Sequence, residues 1–176
     1  MCAALAGLSM VAQAVAGPPK EGYANEPAAM AMPRSVLFLC GQNSIRSPMA
    51  EALAKRMLPK SVFVASAGVR ASARDPFVDA VLAEKALSLG DWRPRRLDEL
   101  EDSYFDLIVT LAPEAHHAAL ELTRTMAIDV EYWPTLDPSV VEGTREQIMA
   151  AYRDVRDGLT LQIARRFNVT SASVET

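Results

Sequence analysis

From Ser35 onward, short apolar runs alternate with stretches in which apolar residues recur every three or four positions. Four runs read as strands: SVLFLC (35–40), SVFVAS (61–66), FDLIVTL (105–111) and DVEYW (129–133). Their near-continuous apolarity suits strands covered on both faces. Strands alternating with helical stretches predict βαβ units and a parallel sheet. The expected fold is therefore a three-layer α/β domain, a four-stranded parallel sheet with helices on both faces.

The helices are signalled by caps as well as spacing. Ser47 before Pro48 reads as an N-cap with proline at the first helical position, and Met49, Leu53 and Met57 follow at intervals of four. Asp75 and Pro76 repeat the device ahead of Phe77, Val81 and Leu82, with Gly90 as the expected stop. Thr144 and Gln147 form a capping box, after which Ile148, Tyr152, Val155, Leu159 and Ile163 make one long stripe. That last helix is expected to close one face of the sheet.

Residues 1–33 break the alternation. The segment MCAALAGLSMVAQAVAG imitates a secretion signal, with small residues at Ala12, Ala14 and Ala16, but the first lysine is Lys20 and Gly7, Ser9 and Gln13 interrupt the run. It is too short and alanine-rich to span a membrane. It reads as an extension, with Met30 or Met32 as the natural start, and the four prolines of 18–33 read as linker. One domain over 34–170 is expected, monomeric or weakly dimeric.

The chain has 176 residues and a formal charge of -4, which gives no reason to expect nucleic acid or an anionic membrane as partner. Any basic site must be local. Of the two cysteines, Cys2 sits in the extension, so a disulfide framework is not expected and a reducing, cytoplasmic setting is.

Cys40 carries the candidate chemistry. It ends the first strand, and Arg46 lies six positions on, where a helix begins. A strand turning directly into a helix aims unpaired backbone N–H groups and the positive end of the helix dipole at one point, a ready anion site. Arginine's planar fork binds two oxygens of a tetrahedral oxyanion, and its charge beside a thiol favours the nucleophilic thiolate. The plainer alternative is a packing cysteine at a strand end. Neither a Walker loop nor a metal site fits: no Gly-Lys-Ser/Thr follows, and His116 and His117 are adjacent, reading as the exposed flank of a helix. No cofactor or metal is expected.

VLFLCGQNSIRSPMAEA resembles the Cys-x5-Arg-Ser phosphate loop of the low-molecular-weight protein tyrosine phosphatases and of the thioredoxin-coupled arsenate reductases that share their fold. The resemblance runs from about Val36 to Phe167 and includes SAG at 66–68 and Asp-Pro at 137–138, with Asn43, Ser47, Pro48 and Glu51 in register. It implies a phosphate-binding loop after strand 1, with Cys40 as nucleophile, Arg46 and the loop residues Gly41, Gln42, Asn43, Ser44, Ile45 and Ser47 holding the anion, and Asp137 as acid. It further implies that Asn43 holds the loop's shape, that Ser47 bonds to the Cys40 sulfur, and that Ser66 supports Asn43. As a residue alone, Asp137 reads equally as a turn residue before proline, and Asp75-Pro76 as a helix cap. The basic cluster WRPRR (92–96) reads as solvated surface, with contact to an anionic substrate as the alternative.

The two branches of that family differ in what resolves the adduct. The reductases resemble this chain in WPTLDPSVVEGTREQ, but they pass arsenic to two further cysteines, the first directly after a Thr-Leu. Here Thr110-Leu111 is followed by Ala112, and the next turns offer Ala118 and Ala119. The phosphatases carry aromatic residues after Asp-Pro, where this chain has Ser139 and Val140; Ile45 replaces a frequent second cysteine and Gln42 a frequent glycine. The expected function is hydrolysis of a phosphorylated protein or small phosphomonoester through a phosphocysteine. The alternative is reduction of arsenate with an external small thiol.

Overall fold

The computed structural model describes residues 32–100 and 104–170. The extension expected over 1–33 lies, apart from Met32 and Pro33, outside the described residues. Four strands, β1 (Ser35–Cys40), β2 (Phe63–Gly68), β3 (Leu107–Thr110) and β4 (Asp129–Tyr132), form one parallel sheet in the order β2-β1-β3-β4. Between and after them lie α1 (Arg46–Met57), α2 (Pro76–Ala83), α3 (Pro113–Leu122) and α4 (Arg145–Phe167). The expected fold class is thus observed.

The period-two alternation of strands sorts the core into two layers. Val36, Phe38 and Cys40 point with Val64, Leu107 and Val109 to the side covered by α1, α2 and α4. Leu37, Leu39, Ala65, Ala67 and Ile108 point to the side covered by α3. The stripe on α4 buries Tyr152, Val155, Leu159 and Ile163, and α1 buries Met49, Leu53 and Met57 as spaced. Each such apolar side chain contributes about 1.5–3 kcal/mol on burial.

Three local expectations are corrected. Helix α1 starts at Arg46, with Ile45 at the cap and no side chain capping it. Ser47 is already inside the helix, its buried hydroxyl engaged by groups of the loop and of β2. Helix α2 stops at Ala83, well before Gly90, because the amides of Ala86 and Leu87 turn back onto the Ala83 and Leu82 carbonyls. Ala86 takes the left-handed conformation there (φ 52°). The second strand runs two residues further than read, from Phe63 to Gly68, which carries SAG up to the loop after β1.

β1 lies at the centre, with β2 on one side and β3 on the other, so the connections leaving the carboxyl ends of β1 and β3 diverge. A crevice opens at such a switch point. Cys40, the last residue of β1, pairs in register with Gly68. Both therefore reach that end of the sheet together.

Candidate active site

The loop 41–45 is shaped by the segment that follows β2. Amides of Val69, Arg70 and Ser72 donate to the carbonyls of Cys40 (3.0 Å), Gly41 (2.9 Å) and Gln42 (3.0 Å). In a trans peptide the next N–H points opposite the carbonyl, so the amides of residues 41–43 face away from that segment. That of Asn43 donates to Cys40 Sγ at 3.2 Å. The close approach requires Gly68: a Cβ there would overlap the Arg70 carbonyl oxygen and lie 2.7 Å from the Asn43 nitrogen.

Asn43 sits at φ 48°, a left-handed conformation that asparagine tolerates better than most side chains. Its amide group holds it there from three directions. Nδ2 donates to Ser47 Oγ (2.9 Å) and Ser66 Oγ (3.0 Å), and Oδ1 accepts from the Arg95 amide (2.8 Å). The Ser66 hydroxyl donates to Glu51 Oε2 at 2.5 Å, and the buried Glu51 carboxylate pairs through its other oxygen with Lys55. A chain of fully partnered polar groups therefore runs from α1 to the loop, where an unpartnered one would be strongly destabilising.

Ser47 Oγ lies 3.0 Å from the buried Cys40 Sγ and 3.2 Å from the Ala67 carbonyl oxygen. A hydroxyl has one proton. With a neutral thiol, sulfur donates to Ser47 and Ser47 to Ala67; with a thiolate, the Ser47 proton turns to sulfur. Together with the Asn43 amide this gives the thiolate two donors.

Arg46 bridges three segments. Nη1 donates to the carbonyls of Thr135 (3.1 Å) and Leu111 (3.5 Å), and Nη2 to Asp137 Oδ2 (3.0 Å). Of its five N–H groups, the Nε proton and one on Nη2 have no partner among the described residues. That edge suits two oxygens of one anion. Asp137 also caps a short helical turn, its Oδ1 accepting from the Ser139 amide (3.1 Å) and hydroxyl (2.7 Å). Asp137 thus caps the turn and pairs with Arg46 at the same time.

The sequence-derived residues Cys40, Gly41, Gln42, Asn43, Ser44, Ile45, Arg46, Ser47, Ser66 and Asp137 thus gather at one end of the sheet. Others went unread. The Glu51 and Lys55 pair at i, i+4 was legible as a spacing, but the Arg95 amide was not, since a backbone group leaves no mark in sequence. Glu114, at the start of α3, lies over the loop, and a Cβ on Gly41 would overlap its Oε1. Leu136 and Val140 flank Asp137 with 86% and 76% exposure, at one side of an open groove of about 630 Å³.

His117 is exposed as expected, but His116 is not a free flank. Its ring stacks on Tyr132 at 4.9 Å, and Nδ1 lies 3.1 Å from Thr110 Oγ1. Since that hydroxyl donates to the Glu131 carbonyl (2.9 Å), the proton between them belongs to His116 Nδ1. Among the described residues, no group of three or more His, Cys, Asp or Glu gathers to hold a metal, and Cys40 is the one cysteine. Ala112 and Ala119 are buried.

Tyr152, from α4, donates to Asp75 Oδ2 at 2.9 Å, and Asp75 caps α2 through the Phe77 amide (2.8 Å). Burial pushes the phenol well above its ordinary value, with Asp75 adding to it and the Asp137 charge contributing. Tyr152 therefore remains a donor to Asp75 at all working pH.

The architecture and this loop define a parallel α/β protein with a cysteine–arginine loop between β1 and α1. Residues 35–163 match the sequence profile of the low molecular weight phosphotyrosine protein phosphatases, and the chain belongs to that family. It is similar to the arsenate reductases of Bacillus licheniformis, 32% identical over 75% of this chain and 94% of that one, and of Halalkalibacterium halodurans, 31% identical over 73% and 91%. Among solved structures it resembles the tyrosine phosphatase AmsI of Erwinia amylovora, with TM-score 0.62, 22% identity and coverage of 79% and 93%. An arsenate reductase in its oxidised state gives TM-score 0.60, 22% identity and coverage of 77% and 97%. Among the described residues no helix is long and apolar enough to cross a membrane.

Proposed function

We propose that the domain over 34–170 hydrolyses phosphomonoesters, phosphotyrosine in proteins included, through a phosphocysteine intermediate, without metal or cofactor and in the cytoplasm. The observation that carries this reading is the Arg46 to Asp137 contact at 3.0 Å, which sets a carboxyl group at the mouth of the loop that holds Cys40. The Cys40 thiolate, held by Ser47 and Asn43, attacks phosphorus in line with the leaving oxygen. The free edge of Arg46 and the loop amides of residues 41–46 compensate the charge on the equatorial oxygens. As Arg46 turns to the anion it releases the Asp137 carboxylate, which takes up the proton carried in by the phosphomonoester monoanion and gives it to the departing alkoxide. The resulting carboxylate then takes a proton from water, which attacks phosphorus as the S–P bond breaks and the thiolate is restored.

Protein in a chelating buffer is expected to hydrolyse an aryl phosphate, and Cys40→Ser to abolish turnover. Metal-free turnover surviving that substitution would overturn the reading.

A second reading, transfer of arsenate onto Cys40 followed by attack of an external small thiol, is favoured by the arsenate reductases at 31–32% identity. With alanines at 112, 118 and 119, where the relay cysteines are expected, the thiol in this reading is an external one. Arsenite release dependent on added glutathione or mycothiol, with poor aryl phosphate hydrolysis, would select it.

A further inference from the structure

The basic segment 92–96 lies against the phosphate loop. The Arg95 amide donates to Asn43 Oδ1 at 2.8 Å, its carbonyl accepts from the Gly68 amide at 2.9 Å, and Arg96 bridges to Gly68 in parallel. Arg70 is fastened to the same loop through its amide, 2.9 Å from the Gly41 carbonyl oxygen. Arg93 and Arg95 are both exposed, on either side of the half-buried Pro94. Proline keeps Arg93 extended, and alternate residues of an extended segment share a face.

The side chains of Arg70, Arg93 and Arg95 have no ion-pair or hydrogen-bond partner among the described residues, whereas the neighbouring Arg74 and Arg96 are paired with Asp79 and Asp98. In a chain with 22 acidic and 18 basic residues, these three arginines anchored beside one loop carry positive charge that no ion pair among the described residues neutralises. Their anchors fall on two positions of the loop, Gly41 and Asn43, with Arg93 two residues further out. Arginines anchored at successive points along the loop suit an extended chain with several carboxylates better than a single small anion.

We propose that Arg70, Arg93 and Arg95 form an anion-binding rim that selects phosphopeptides with acidic residues beside the phosphorylated side chain. The proposal rests on the phosphatase reading and names its substrate class. The phosphoryl group enters the loop while flanking Asp or Glu carboxylates lie along the rim. Arginine suits this role because its fork binds carboxylates in pairs and stays charged throughout the pH range of activity.

The test compares two phosphotyrosine peptides of equal length, one flanked by Glu and Asp and one by Ser at the same positions. At 20 mM salt the wild type is expected to prefer the acidic peptide about tenfold or more in kcat/KM, and the ratio to fall toward one at 0.5 M salt as screening sets in. The ratio is expected to fall but stay above one with Arg→Lys at all three positions, where charge is kept and the fork is lost, and to vanish with Arg→Gln. A ratio near one at low salt would overturn the rim. Fluorescence anisotropy of the same peptides on the Cys40→Ser protein separates the rim from the chemistry. If neither peptide is turned over but the acidic one still binds tighter, the hydrolase reading fails and the rim stands; equal affinities dispose of the rim whatever the turnover.

Discussion

At the residue scale, the roles divide between groups that react and groups that hold. In the proposed mechanism Asp137 gives and takes the proton, so Asp137→Asn is expected to lower kcat by about 10²- to 10⁴-fold. The loss should be greater for an alkyl leaving group, which needs the proton, than for p-nitrophenolate, which leaves without it. Equal losses on both esters would remove Asp137 from the proton path. Gly68 is a holding residue with no side chain to contribute, and its replacement tests the loop geometry alone. Gly68→Ala places a methyl group against the Asn43 nitrogen and the Arg70 carbonyl, both backbone atoms that cannot step aside. A loss of at least tenfold in kcat/KM is expected, together with weaker phosphate inhibition. Gly41→Ala meets only the flexible end of Glu114, so its loss should be the smaller of the two.

At the element scale, α4 is fixed to α2 by charge as well as by its apolar stripe. Glu84, just past α2, accepts from Arg153 Nη2 at 2.8 Å and from Arg156 Nη1 at 2.9 Å. Hydrogen bonding from Arg153 first, and from Arg156 as well, brings its carboxyl from an ordinary 4.5 down to about 2. A carboxyl whose folded value lies below its unfolded value stabilises above the unfolded value and loses that contribution as pH falls from about 4.5 toward 2. Glu84→Gln is therefore expected to lower stability by about 1 kcal/mol at pH 7 and by progressively less as pH falls toward 2, read from urea midpoints at each pH. A difference that does not shrink with acid would assign the effect to packing. Most of the elements were legible in sequence because their signals were local. The Asp75 and Thr144 caps hold as read, and the stripes are buried except at Phe77 and Ile148, which are half-buried. Ser47 misled for the converse reason: its cap spacing is local, but its hydroxyl is claimed by Cys40, Asn43 and Ala67, brought together only by the fold.

At the scale of the whole molecule, the site is a meeting of segments far apart in the chain, and this limits what sequence can reveal. Cys40 and Arg46 lie in one loop, so their spacing alone suggested an anion site. The Arg46 contacts to Leu111, Thr135 and Asp137 span separations of 65 to 91 residues and have no local signature. Family resemblance supplied Asp137, while nothing supplied the Arg95 amide. The same convergence bears on how a covalent adduct is resolved. No second thiol stands near Cys40 among the described residues, and the buried positions of α3, Ala115 and Ala119, are alanines. On the proposed hydrolase reading, water admitted beside Asp137 resolves the adduct. Aryl phosphate hydrolysis is accordingly expected to be independent of added thiol once Cys40 is reduced, and Cys2→Ser to leave it within twofold. Peptide mapping of non-reduced protein after many turnovers should find Cys40 free. A Cys2–Cys40 disulfide that accumulates with turnover would mean that the chain carries its own resolving thiol, and would move the chemistry toward the reductase branch.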